Sequence, residues 1–241
     1  MRRFLGALRF MTSLPLGRGE ADSFQPQGMG PYFPLVGIVL GLILALADGL
    51  FLAFWSEPVA AWLDVVLLIL LTGALHLDGL GDAADGLFSH RSRTEALKIM
   101  KDTRVGVMGL VSVVAVLGIK WGGILGLEQG RWLALVLVPG YSRAGLLLAM
   151  RFLPYGRPEG GLGSDFCRIR PGWRAFWGLG LLVACSCFLG WGALVLNAAF
   201  AGLTFLILWF YSRRIGCITG DTLGALNEVL EAGLFLALAA V

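Results

Sequence analysis

Charge is scarce in this chain. Only 15% of its 241 residues are Asp, Glu, Lys or Arg, against 57% that are hydrophobic. An ordinary soluble domain is about 25% charged, so too little polar surface exists here to cover a water-soluble fold. Cysteine is limited to four residues, Cys167, Cys185, Cys187 and Cys217, spaced like neither a zinc site nor a disulfide framework. Histidine occurs twice, at His76 and His90. Polar stretches long enough to build a second core are missing, and no internal repeat is visible. A secretory signal is not expected, because Arg9 breaks the short apolar stretch that follows Arg2 and Arg3. The net charge of +3 is small, and no nucleic-acid partner is expected.

Glycine, at 35 residues, and tryptophan, at eight, are plentiful. Small residues let membrane helices approach closely, and Trp collects at lipid–water boundaries. These features predict an all-α, polytopic membrane bundle, one domain over 1–241, with the lipid bilayer as its surroundings. About 20 apolar residues cross a bilayer as a helix. That window predicts seven spans, over 34–55, 59–77, 107–127, 132–153, 175–196, 198–211 and 223–241. The turn between the fifth and sixth is expected near Asn197. Phe4, Leu8 and Met11 share a helical face, so residues 1–12 are expected to lie in the interface as an amphipathic helix.

The basic residues are divided unevenly by these spans. Sixteen of the 19 fall on one side, Arg131 alone on the other, and Lys120 and Arg143 within spans. Positive charge marks the cytoplasmic side. The expected location is therefore a bacterial inner membrane, with the motif segment 78–106 facing the cytoplasm.

After the second expected span, Asp78, Asp82 and Asp85 stand at i, i+4 and i+7, which places three carboxylates on one helical face. Stacked like charges destabilise a helix, and no Lys or Arg lies between Leu77 and His90 to offset them. A cation is expected to do so. Oxygen ligands with room for water and phosphate suit magnesium. Lys101 and Arg104, with Asp102 between them, follow as a candidate clamp on phosphate oxygens. His76 reads as a boundary residue or a substrate contact.

Ionisable residues inside spans are functional candidates by default. Arg143 follows Pro139 and Gly140; Asp221, Asn227 and Glu228 lie in the last span. Either Arg143 contacts phosphate, with the last-span residues closing the site, or Arg143 and Glu228 form a structural pair. No role is read for Lys120, Asp48 or Asp64. Carboxylates and cations together at one mouth suit phosphoryl transfer, in which cations offset the developing charge. A transporter or channel, and a head-group transferase acting on lipid, are the rival classes.

Residues 72–86, Thr-Gly-Ala-Leu-His-Leu-Asp-Gly-Leu-Gly-Asp-Ala-Ala-Asp-Gly, resemble the signature of the cobalamin synthase family. The likeness continues through Ile-Met-Lys-Asp-Thr-Arg-Val-Gly at 99–106, Tyr-Ser-Arg at 141–143 and Leu-Pro-Tyr-Gly-Arg-Pro-Glu-Gly-Gly-Leu-Gly at 153–163. It includes Phe-Met-Thr-Ser-Leu-Pro-Leu at 10–16 and closes with Ile-Thr-Gly-Asp-Thr-Leu-Gly-Ala-Leu-Asn-Glu at 218–228.

The resemblance implies a magnesium-dependent transferase joining adenosylcobinamide-GDP to α-ribazole, or its 5′-phosphate, with release of GMP. On this reading Asp78, Asp82 and Asp85 hold metal, and Asp82 and Asp85 are catalytic, with Asp85 the expected general base. The expected substrate-binding set is His76, Lys101, Asp102, Arg104, Arg143, Arg157, Asp221, Asn227 and Glu228. Assembly of several copies is compatible with all of this.

Overall fold

The computed structural model describes residues 2–16, 26, 28–102, 104–157, 166 and 170–241. Arg18, Thr103, Cys167, Arg168 and the 158–163 part of one motif lie outside the described residues. The order of helices is α1 (Arg2–Met11), α2 (Phe33–Phe54), α3 (Glu57–Thr72), α4 (Leu75–Leu87), α5 (Arg93–Ile99), α6 (Val107–Leu125), α7 (Arg131–Phe152), α8 (Trp177–Ser186), α9 (Trp191–Arg214) and α10 (Gly220–Leu238).

α7 is the axis of the bundle. Its apolar window is 89% buried, whereas that of α9 is 17% buried and turned outward. α2 lies against α7 through glycines one turn apart. A Cβ on Gly37 would collide with the Pro139 carbonyl oxygen, and one on Gly41 with that of Val136. Only a residue without a side chain permits this approach, and backbone contact of this kind is how membrane helices gain packing energy.

α3 and α4 meet at a bend of 92°. Gly73 and Ala74 both adopt left-handed φ, at 59° and 58°. The first is natural for glycine. The second is held by the Ala74 N–H donating to the Ile69 carbonyl at 3.0 Å. The exit of α1 is tied to the same corner, where the Ser13 N–H donates to the Leu71 carbonyl at 2.8 Å. α1 buries Ala7, Leu8 and Met11 within the bundle, and Leu8 and Met11 belong to the face read from the sequence.

Four helical segments among the described residues are long and apolar enough to span a bilayer: 30–54, 107–125, 131–152 and 191–214. The bent α3–α4 pair makes a fifth if taken as one span. The expected seven are therefore not reached, for two reasons. The chain breaks at Gly190, with φ 59°, and not at Asn197. This leaves one 24-residue helix and a short apolar piece over 173–189. Asn197 instead lies within α9, where its Oδ1 accepts from the Tyr141 hydroxyl at 2.8 Å. The last helix, α10, carries Asp221, Glu228 and Glu231, too many charges for a lipid-facing span. It is packed mainly against α4, α6, α7 and α9, and most of its length is buried.

Candidate active site

The first turns of α4 and α10 touch through two glycines. A Cβ on Gly79 would lie 3.0 Å from the Asp221 backbone, and one on Gly224 2.9 Å from the His76 carbonyl oxygen. That contact brings Asp221 beside Asp78. A capping box between Thr219 and Thr222 starts α10 at this point. The chain leaving α7 is stitched to the chain entering α10, since Tyr155 and Ile218 form a parallel bridge. The Gly156 N–H donates to the Ile218 carbonyl at 2.8 Å. Arg157 is thereby delivered to Asp221, to which its Nη2 donates.

A cavity of about 250 Å3 opens here. α4 and α10 line it with His76, Asp78 and Asp221, and Arg157 adds a cation. Asp82, one turn along from Asp78, has Asp78, Asp221 and Asp85 as like-charged neighbours and Arg157 as an opposite one. Four carboxylates near one guanidinium leave an excess of negative charge at this face. Among the described residues, no three His, Cys, Asp or Glu side chains converge closely enough to hold a metal ion unaided. Magnesium does not need that, because it keeps several waters and binds through one or two carboxylates plus substrate phosphates. Asp78 and Asp82, adjacent on one helical face, suit that mode.

Asp85 differs from expectation. Its Oδ2 accepts the Gly106 N–H at 2.7 Å and its Oδ1 the Gly109 N–H at 2.8 Å. The carboxylate thus caps the N-terminus of α6, where main-chain donors lack partners and the helix dipole favours an anion. Gly106 and Gly109 make room, since a Cβ on either would collide with the Asp85 carboxylate. Both oxygens of Asp85, expected as metal ligand and general base, are thus engaged by main-chain donors, and Asp85 is not among the residues lining the cavity.

Of the expected Lys101–Arg104 clamp, neither residue lines the cavity. Arg104 is turned back on Asp102, donating through Nη2 at 2.6 Å and Nε at 3.0 Å. Its side chain is 87% exposed. This fork holds the Asp102 carboxyl down to about 2, well under its usual range. Lys101 is exposed after α5, one residue beyond Met100, whose carbonyl accepts from Arg157 at 3.4 Å.

Arg143, expected on phosphate or on Glu228, is paired with Glu231. It is wholly buried and absent from the cavity wall. Its Nη1 donates to Glu231 at 2.9 Å and to the Pro139 carbonyl at 2.9 Å. Glu228 belongs to Lys120, whose ammonium reaches Glu228 at 2.7 Å and Glu231 at 2.8 Å. Two cations and two carboxylates thus neutralise one another where α6, α7 and α10 meet. Asn227, next to Glu228 in the chain, places its Nδ2 at 3.3 Å from Nδ1 of the cavity residue His76.

Sequence reading missed Lys120 and Glu231. The available signal was Glu231 three residues after Glu228, on the same face of one helix, together with a lone intramembrane lysine. Asp48 and Asp64 find their partner in Arg131, at 2.7 and 3.4 Å.

The family model described as cobalamin-5-phosphate synthase matches residues 3–239. An adenosylcobinamide-GDP ribazoletransferase of Pseudomonas putida is 42% identical over 99% of each chain. One from Roseiflexus is 40% identical over 93% of this chain and 84% of its own. One from Desulforamulus reducens is 36% identical over 93% of this chain and 91% of its own. No solved structure matches. Family match and relatives alike span the α4 aspartates and the α10 motif that meet at the cavity, and the chain belongs to the cobalamin-5-phosphate synthase family.

Proposed function

We propose that the protein is an adenosylcobinamide-GDP ribazoletransferase, working at the cytoplasmic face of a bacterial inner membrane. The reaction joins adenosylcobinamide-GDP to α-ribazole, or its 5′-phosphate, and releases GMP. The observation that carries this reading is the contact of the α4 aspartate row with Asp221 and Arg157, in a chain whose relatives bear that name.

The hydroxyl oxygen of the ribazole bonds to the phosphorus attached to the corrinoid. The bond from that phosphorus to the bridging oxygen breaks, and GMP carries the oxygen away. Asp78 and Asp82 would hold magnesium, which when bound supplies neutralisation of the diphosphate. Arg157 forks onto phosphate oxygens, as a planar guanidinium does. In doing so it releases Asp221, which lines the cavity and takes the proton of the attacking hydroxyl. His76, held by Asn227, forms the cavity wall beside them. Asp85 keeps α4 and α6 in register through its main-chain bonds.

Purified protein in lipid, given magnesium, cobinamide-GDP and α-ribazole, should release GMP. It should not release CMP from a CDP-activated lipid. Asp82→Ala should abolish turnover while the protein still inserts and melts as wild type. Near-wild-type activity of Asp82→Ala would remove the aspartate row from the chemistry.

A further inference from the structure

The lining of the cavity is of two kinds. α4, α10 and Arg157 supply the polar groups described above. The remainder is apolar: Phe10 and Met11 from α1, Phe33 from the start of α2, Leu146 and Met150 from α7, and Phe166, with Leu75 and Leu223 beside the polar groups. The rings are packed together there. Phe166 lies 4.6 Å from Phe10 and 5.5 Å from Phe33, centroid to centroid, tilted by 39° and 57°. Tyr155 adds a fourth aromatic side chain to the lining. Phosphoryl transfer has no use for such a wall, since its charges are all met by the polar groups.

We infer that this aromatic wall is the seat of the planar heteroaromatic base of the attacking nucleoside, with Phe10, Phe33 and Phe166 as its specificity-determining residues. The inference rests on the transferase reading above and asks which part of which substrate enters the cavity. Size favours the nucleoside over the corrinoid. Pockets for drug-sized ligands run from about 300 to 1,000 Å3, and 250 Å3 falls below that range. A bicyclic base with part of its sugar fits such a space. A corrin macrocycle with its peripheral amides does not, and stays outside while its diphosphate reaches in to Asp78 and Arg157.

Chemistry points the same way. A base offers π-faces to phenyl rings, and base–aromatic stacking is tolerant of the exact heterocycle. The thioethers of Met11 and Met150 add polarizable, adaptable contacts. A base lodged against Phe166 shares the cavity with Asp221, which takes the proton of its sugar hydroxyl.

α1 gains a purpose from this arrangement. Its last turn, through Phe10 and Met11, completes the nucleoside pocket.

Two bases are present in the reaction, that of α-ribazole and the guanine of the activated corrinoid, and kinetics separates them. KM is measured for α-ribazole and for cobinamide-GDP in turn, in wild type, Phe166→Leu, Phe10→Leu and Phe166→Tyr. We expect both leucine variants to raise the KM for α-ribazole roughly tenfold, the effect of losing one stacking partner. The change falls on KM rather than kcat, the KM for cobinamide-GDP stays put, and Phe166→Tyr restores the wild-type value.

A rise in the KM for cobinamide-GDP instead would seat guanine there and overturn the assignment. So would leucine variants with both KM values unchanged. A wild-type protein that turns over neither substrate would refute the transferase reading itself, a distinct result. Should the leucine variants fail to fold, titration of wild type decides: α-ribazole binding that GMP does not compete away supports the inference, and competition by GMP overturns it.

Discussion

Asp85 and Gly109 lie on different helices, 24 residues apart, and the Oδ1 of Asp85 accepts the Gly109 N–H at 2.8 Å. The last carboxylate of an acidic row thus serves as the N-terminal cap of the next helix. An anion in this position answers to the unpaired main-chain donors and to the dipole of α6, and of its two neighbours in the row Asp78 lines the cavity.

Asp85→Ala should destabilise the protein by about 1–3 kcal/mol, the usual penalty for stranding a main-chain donor. Asp85→Asn retains one carbonyl acceptor and should lose less, while keeping measurable turnover. Thermal melting and GMP release check both. An Asp85→Asn protein that melts like wild type yet is inert would restore Asp85 as a proton acceptor.

Lys120→Met should cost about 3–5 kcal/mol, because it leaves Glu228 uncompensated and Glu231 with Arg143 alone in a buried setting. Replacing Glu228 by Met in the same chain removes the stranded charge and should recover part of the loss. Denaturation of the single and double variants in lipid gives the comparison. Equal stability of Lys120→Met and wild type would mean that the cluster contributes nothing to the fold.

Removal of divalent metal with a chelator should abolish turnover and leave the melting temperature where it was. The fold is expected not to depend on a metal, since no three candidate ligands among the described residues converge on one point. Magnesium added back should restore GMP release. Parallel loss of melting temperature and activity would make the ion structural instead.

Orientation is testable by thiol labelling in a chain freed of its own cysteines. Glu128→Cys, between α6 and α7, should react with an impermeant reagent outside intact cells. Arg91→Cys, between α4 and α5, should react only after the membrane is opened. The reverse pattern would contradict the reading of the basic residues.

Much of the site is legible in the sequence. Asp78, Asp82 and Asp85 at helical spacing do lie on one helix, and Asp221, Asn227 and Glu228 do lie on the last one. The helix break at Gly190 is not legible there. The run from Ala175 to Tyr211 contains no charge, so hydropathy offers no marker where one helix ends and another begins. The partners of Arg143 and Glu228 are hidden for another reason. Both signs of charge occur on α10 and its neighbours, and a single lysine on α6 redistributes every pairing.

Composition and spacing by themselves determined that the chain is a membrane bundle, that three carboxylates share a helix face, and which family it resembles. These are properties of neighbours along the chain, whose relative positions the helix repeat sets. Only tertiary structure decided that Asp85 caps α6, that Lys120 takes Glu228, and that aromatic rings from α1, α2 and Phe166 line the same cavity as Asp221. Such pairings depend on where bare glycine surfaces such as Gly79 and Gly224 let two helices meet, and that is fixed by packing across the bundle.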